Sequence, residues 1–173
     1  MEIKFKGFYT KKEVYRAVSL ANLPDPKRAL IRIGFTVLAL AFYAVYAIWS
    51  ANQKGVSVIG LQNLASHFFF LLLIGLFQYY PNITSWVTAT KIWRAPTMHF
   101  EYSGVISGAG IFYTGKKTLL PWNQIAKKEI SNDLVVLLTS KGILSFFPRH
   151  FFKSDADWQQ VIQWVNSKVV AAK

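Results

Sequence analysis

From Ile33 to Gln53 no residue is ionised at neutral pH, and the densest part, Ile33 to Trp49, reads IGFTVLALAFYAVYAIW. As a helix at about 1.5 Å per residue it is roughly 26 Å long, close to a hydrocarbon core of about 30 Å. A soluble helix of that length keeps a polar face, and this one is apolar all round. A second run, Leu64 to Tyr80, carries only His67 and Gln78 as strongly polar positions, and Val56–Gly60 extends it upstream. Trp49, Tyr79, Tyr80 and Trp86 fall near the ends of the two runs, at the level amphipathic rings prefer. Pro81 stands where the second helix should leave the hydrocarbon or kink. The pattern predicts a hairpin over 29–94 with membrane spans over about 31–50 and 62–82. The competing reading, two buried core helices, needs more covering mass than the rest of a 173-residue chain supplies. Gly34, Ala41 and Ala44 fall on one face of the first run. Such a face either packs against the second run near Gly75 or simply meets lipid.

The flanks have other periods. Ile3 and Phe5 alternate with charged neighbours, which predicts a short strand. Thr10 and Glu13 form a T-x-x-E capping box, and Val14, Ala17, Val18 and Ala21 then recur at helical spacing. A short amphipathic helix over about Lys11–Asn22 follows, ended by Pro24 and Pro26. It lies on a membrane surface or on the C-terminal region, and the pattern does not choose. Residues 1–28 are thus one N-terminal segment. From Ala95 onward apolar residues alternate, with turn signals about every ten residues. Met98–Tyr102, GVISG, GIFYTG, KTLLPW, AKKEIS, LVVLLTS and GILSFF are strand candidates, with turns at Asn132-Asp133 and Lys141-Gly142. Ser154 and Asp157 form a second capping box, and Trp158, Val161, Ile162, Val165 and Val169 mark one helical face. Residues 95–173 therefore read as a small antiparallel β domain closed by a C-terminal helix. The fold class is membrane α+β.

Charge supplies an orientation. The chain has 20 Lys and Arg against 8 Asp and Glu, a formal net charge of +12. Lys4, Lys6, Lys11, Lys12, Arg16, Lys27, Arg28 and Arg32 precede the first run, Lys54 alone separates the two runs, and Lys91, Arg94 and nine others follow. The positive-inside bias puts the hairpin turn outside the cell membrane and both termini in the cytoplasm. Lys27, Arg28, Arg32, Lys91 and Arg94 flank the crossings, where each basic residue attracts anionic lipid by about 1 kcal/mol. No run of five Lys or Arg occurs and no groove-reading motif is present, so nucleic acid is not the expected partner. No cleavage pattern of small residues follows the first run, which is also too long for a signal peptide. The chain has no cysteine, which excludes disulfides, thiolate metal sites and thiol nucleophiles.

The segment LLPWNQIAKKEISNDLVVLLTSKGILSFFPRHFF, Leu119–Phe152, carries a Pro121-Trp122 turn, an Asn132-Asp133 hairpin tip and a Pro148-Arg149-His150-Phe151 ending. With the opening FYTKKEVYRA and the two-span hairpin, it resembles the YcxB-like family of bacterial membrane proteins over nearly the whole chain. His150 departs from the family pattern, which has a second basic or polar residue there. The resemblance implies a cytoplasmic domain of pleckstrin-homology-like fold. It implies no established activity, and a fold alone supplies none.

Little in the chain looks catalytic. Among the acids, Glu13 and Asp157 are accounted for by capping, Asp133 by a turn, and Asp155 by the first turn of a helix. His67, His99 and His150 lie far apart in sequence with no paired-ligand spacing. His67, one turn into the second run, reads as an interfacial or interhelical hydrogen-bonding group. Arg149 could grip a phosphate or acidic headgroup, helped by Lys116-Lys117 and one of Lys127 and Lys128. Those two lysines are neighbours in a strand and point to opposite faces. Trp122, Pro148 and Trp158 read as structural anchors. The expected protein is a non-enzymatic binding or regulatory module at the cytoplasmic face of the membrane, without cofactor or metal. Its partners are the bilayer, a cytosolic or membrane protein, or anionic headgroups. The alternative is an immunity or stress-protection protein acting through the hairpin. A transport path would require a homo-oligomer, since two spans enclose none.

Overall fold

The computed structural model describes residues 2–23, 26–55, 58, 60–115 and 118–169. The chain divides into two compact units, Met1–Asn22 with Thr84–Lys173, and Leu23–Ile83. The elements are β1 (Glu2–Gly7), α1 (Lys11–Ala21), α2 (Pro26–Lys54), α3 (Leu61–Arg94), β2 (Tyr102–Ser107), β3 (Gly110–Tyr113), β4 (Thr118–Pro121), β5 (Ile125–Ile130), β6 (Leu134–Thr139), β7 (Leu144–Pro148) and α4 (Asp155–Lys168). The sequence-based division at residues 28 and 94 thus differs from the structural one. The N-terminal strand and helix belong to the same unit as the β-strands.

In that unit two antiparallel sheets form, in the orders β1-β2-β3-β4 and β5-β6-β7. Strand alternation sorts the first sheet. Ile3, Phe5, Ile106 and Ile111 point inward and are buried, while the register row Lys4, Val105, Phe112, Leu119 lies on the outer face. Gly104 is required by close packing: a Cβ there would stand 2.1 Å from the Phe112 carbonyl oxygen and 2.6 Å from the Phe5 ring. β6 is buried on both faces, as expected for the central strand of a covered sheet. Phe147 meets Phe5 of the first sheet edge-on at 5.1 Å, and on the same face Lys128 reaches α4. Phe146 and Lys127 serve the other face, against Tyr9 and α1.

Both caps form. Thr10 accepts from the Glu13 amide and the Glu13 carboxylate accepts from the Thr10 amide, an arrangement worth about 1 kcal/mol. At α4 the Ser154 hydroxyl accepts from the Asp157 amide, and the same hydroxyl donates to the Asp157 carboxylate. The predicted reciprocal bond to the capping residue's own amide is thereby replaced. α1 also holds the last turns of α3: Asn22 donates to Ser85 Oγ at 3.0 Å, and the Tyr15 and Thr90 hydroxyls lie 2.7 Å apart.

The second unit contains α2 and the earlier part of α3, which run antiparallel. Over Lys27–Gln53 and Asn63–Arg94 these are two helices long and apolar enough to cross a membrane, with mean hydropathy 1.9 and 1.4. None of the most apolar 18-residue window of either is buried. The half-buried positions of α2, namely 36, 39, 43, 47 and 50, recur every three to four residues and mark its seam with α3. Tyr43 stacks on Phe70 at 3.8 Å there, and Gln78 donates to Thr36. Gly55, at φ 61°, ends α2 in the left-handed conformation that glycine adopts without strain.

Pro81 lies inside α3, which continues to Arg94, its last turns belonging to the β unit. One expectation is corrected. Met98–Tyr102 is not a strand: Pro96–His99 is a 3-10 turn that buries Met98, and β2 begins at Tyr102. Of the two readings of the small-residue face of α2, close packing near Gly75 finds no support, since a Cβ at Gly34 or at Gly75 would meet nothing within 4 Å. The upstream extension through Val56, Ser57 and Ile59, the Pro24 stop and the Lys116-Lys117 pair lie outside the described residues.

Candidate binding cavity

β4 and β7 are the outer strands of their sheets and do not pair with each other. The space left between them is a cavity of about 480 Å³. Leu119 and Leu120 of β4 line one side, and Leu144, Ser145 and Phe146 of β7 the other. Ile92 from the last turn of α3 and Met98 contribute further wall. Leu119 and Ile143 are about half exposed and form an apolar rim.

In a chain of net charge +12, no lining residue of this cavity among the described residues carries a charge. Its polar side chains are Tyr9, Tyr102, Tyr113, Gln124 and Ser145. Tyr9 is fixed by aromatic neighbours, with Phe146 at 4.3 Å and Tyr102 at 4.7 Å between ring centroids, and donates its hydroxyl to the Phe146 carbonyl at 2.8 Å. Burial, reinforced by the nearby tyrosines, pushes the Tyr9 phenol well above its usual value. Burial likewise pushes Tyr113 up to about 12, against a hydrogen bond with Ser145 that favours the phenolate. The Tyr102 hydroxyl has the Met98 sulfur at 3.6 Å, a weak acceptor. The arrangement can hold an uncharged, mainly apolar group and offer it hydroxyl hydrogen bonds.

Arg149 sits in a different setting, a shallow charged basin shared with Glu13, Asp133, His150, Lys153 and Asp155. Its guanidinium grips Asp155 with bonds of 2.6 and 2.9 Å. The hydrogen bonds and charge of that carboxylate hold Arg149 above its ordinary value. Arg16 pairs with Asp133 at 2.7 Å and His150 with Glu13 at 3.2 Å. The Arg149 guanidinium is thus bonded to Asp155 in an exposed pair, a partner that an acidic headgroup would have to displace.

The remaining predicted residues are dispersed. Lys27 and Arg28 are exposed in the first turn of α2, and Arg32 is half-buried with its Nε hydrogen-bonded to no described residue. Lys91 and Arg94 are exposed in the last turn of α3, on one face at i and i+3. Lys127 donates to the Ala21 carbonyl at 3.0 Å and Lys128 to those of Val165 and Asn166 at 3.1 Å, so each lysine closes the C-terminal end of a different helix. Trp122 is buried and donates to the Ser107 carbonyl at 2.9 Å. Trp158 is fully buried against Phe152, and Pro148 ends β7. Among the described residues, no group of three or more His, Cys, Asp or Glu could hold a metal ion.

His67 belongs to the helical unit. Its Nε2 lies 2.8 Å from the Val58 carbonyl, which can only accept, so Nε2 carries a proton. In the neutral ring Nδ1 then accepts from the Tyr43 hydroxyl. This is an interhelical hydrogen bond in a small polar niche with Ser50 and Asn63.

The cavity itself was not visible in the sequence. The one signal for it is Ser145, a hydroxyl at an inward position of a strand otherwise reading Leu, Phe, Phe. No protein-family model, no curated protein and no solved structure matches this chain.

Proposed function

We propose that this chain is an integral membrane protein of the YcxB-like kind, whose two-helix hairpin tethers a non-enzymatic binding unit to the cytoplasmic face of the cell membrane. The observation that carries this reading is the bare apolar surface of α2 and α3. No residue of their most apolar windows is buried within the protein, and burying such surface in lipid gains roughly 25 cal/mol per Å² of apolar area removed from water. The polar groups of the hairpin turn inward to the seam, as Gln78 does toward Thr36 and His67 toward Tyr43, which suits helices surrounded by hydrocarbon.

The Lys and Arg distribution favours the hairpin turn outside, with Lys54 the single basic residue between the apolar runs. The four-stranded and three-stranded antiparallel sheets, followed by a C-terminal helix, agree with a pleckstrin-homology-like unit. The uncharged cavity at the open edge of that unit supports a binding role.

The absence of cysteine makes the test direct. Single substitutions Gln53→Cys and Lys168→Cys are labelled with a membrane-impermeant maleimide. Gln53→Cys is expected to react in intact cells and Lys168→Cys only after lysis. The opposite pattern overturns the orientation. Recovery of the chain in the soluble fraction after alkaline carbonate washing overturns the membrane reading.

A further inference from the structure

We propose that the cavity between β4 and β7 takes an uncharged single-chain amphiphile drawn from the membrane; the inference rests on the membrane-tethered reading above. The cavity opens to solvent along its Leu119 and Ile143 rim, and its volume of about 480 Å³ falls in the range of about 300–1,000 Å³ typical of small-molecule sites. The walls then select the chemistry. A charged ligand would lose its hydration and find no countercharge among the described lining residues, none of which is ionised. An apolar chain meets Leu119, Leu120, Ile143 and Leu144, and a hydroxyl or ester at its end meets tyrosine hydroxyls. Tyr102 is the hydroxyl best placed to bond it, since its partner in the fold is a thioether.

An extended peptide fits less well. Adding a strand to β7 needs free edge groups, but Tyr9 occupies the Phe146 carbonyl and Pro148 has no N–H to offer. The source of the ligand follows from the tether. Ile92, one wall of the cavity, stands twelve residues after Tyr80 at the end of the apolar run. Twelve residues span at most about 43 Å, so the cavity stays within that reach of the headgroups however the unit is oriented.

The test uses the full chain in lipid nanodiscs and two photoactivatable probes bearing the same diazirine acyl chain, one a monoacylglycerol and one a fatty acid. Labelled peptides are mapped by mass spectrometry. The monoacylglycerol is expected to label the peptides carrying Tyr102, Tyr113 and Leu144 as well as α2 and α3, whereas the fatty acid labels the two helices alone. Ser145→Trp, which fills the cavity, should cut the β-unit labelling by about tenfold or more, equivalent to about 1.4 kcal/mol of affinity, with helix labelling unchanged. Ile143→Trp narrows the exposed rim without touching the core, and should reduce the same labelling if Ser145→Trp fails to fold. Equal labelling of the β unit by both probes, no labelling of it, or labelling indifferent to both substitutions overturns the proposal while the helices stay labelled. Absence of label on 33–49 and 64–80 with both probes removes the membrane reading itself, and the inference with it.

Discussion

The Tyr9 hydroxyl donates to the Phe146 carbonyl across 137 positions of sequence, at 2.8 Å and out of water. The bond joins the segment before the apolar hairpin to the last strand after it. Tyr9→Phe keeps the ring and leaves a buried carbonyl unpaired, at a cost of about 1–3 kcal/mol. For a unit of this size that corresponds to a melting temperature lower by roughly 4–8 °C per kcal/mol. Thermal unfolding of the full chain in detergent, followed by the fluorescence of buried Trp122 and Trp158, measures it. An unchanged melting temperature would mean that water replaces the hydroxyl at no cost.

A larger consequence concerns the N-terminal segment. β1 pairs with β2 over six residues and buries Ile3 and Phe5, so residues from Thr84 onward do not contain a complete sheet. Residues 84–173 expressed alone should be rapidly digested by protease. Joining Met1–Asn22 to Thr84 through a short Gly/Ser linker should restore a resistant core, because Asn22 and Ser85 are already hydrogen-bonded at 3.0 Å. A resistant fragment from 84–173 without the N-terminal segment would contradict this.

Alkaline pH should weaken the same unit. Tyr113 titrates near 12 in the folded state against about 10 when exposed, and Tyr9 is also raised, in both cases chiefly by burial. Below pH 10 neither form ionises and stability is intact. Between pH 10 and 12 the unfolded chain releases a proton that the folded chain retains, so stability falls by roughly 1.4 kcal/mol per pH unit for each such phenol. Lysines titrate in the same window, so the informative quantity is a difference. Tyr113→Phe should show a shallower decline of denaturation midpoint between pH 10 and 12 than the parent chain. Parallel declines would show that Tyr113 ionises freely in the folded state.

These relationships explain which parts of the fold were legible beforehand. The apolar runs, the Thr10 cap, the seven strands β1 to β7 and the inward face of α4 each follow from a local period or a local hydrogen bond. Whether α1 would lie on a membrane or on the sheet was not legible, because both choices bury Val14, Ala17 and Val18 equally well. In the fold these residues are buried in the β unit, and Arg16 adds an exposed ion pair with the distant Asp133 at 2.7 Å. Met98–Tyr102 alternates like a strand, yet Pro96 opens a 3-10 turn there. The fate of Arg149 depended on Asp155, six residues on, whose helix-start position explained its charge but not its grip on the guanidinium. The cavity was illegible for a different reason: it is bounded by strand edges that do not pair, and periodicity reports faces rather than edges.

Lys127 and Lys128 provide a local test of the layer arrangement. As strand neighbours they point to opposite faces, and each ammonium ends on the carbonyls of a helix C-terminus, Lys127 on α1 and Lys128 on α4. A cation there satisfies carbonyls left open by the last turn and opposes the negative end of the helix dipole, together worth about 1 kcal/mol. Lys127→Met and Lys128→Met should each destabilise the unit by about that amount while retaining the aliphatic stem. Hydrogen exchange separates the two sites better than global stability does. Lys127→Met should speed exchange in the last turn of α1 and leave α4 alone, and Lys128→Met should do the reverse. If both substitutions loosened the same helix, α1 and α4 could not cover opposite faces of the β5-β6-β7 sheet.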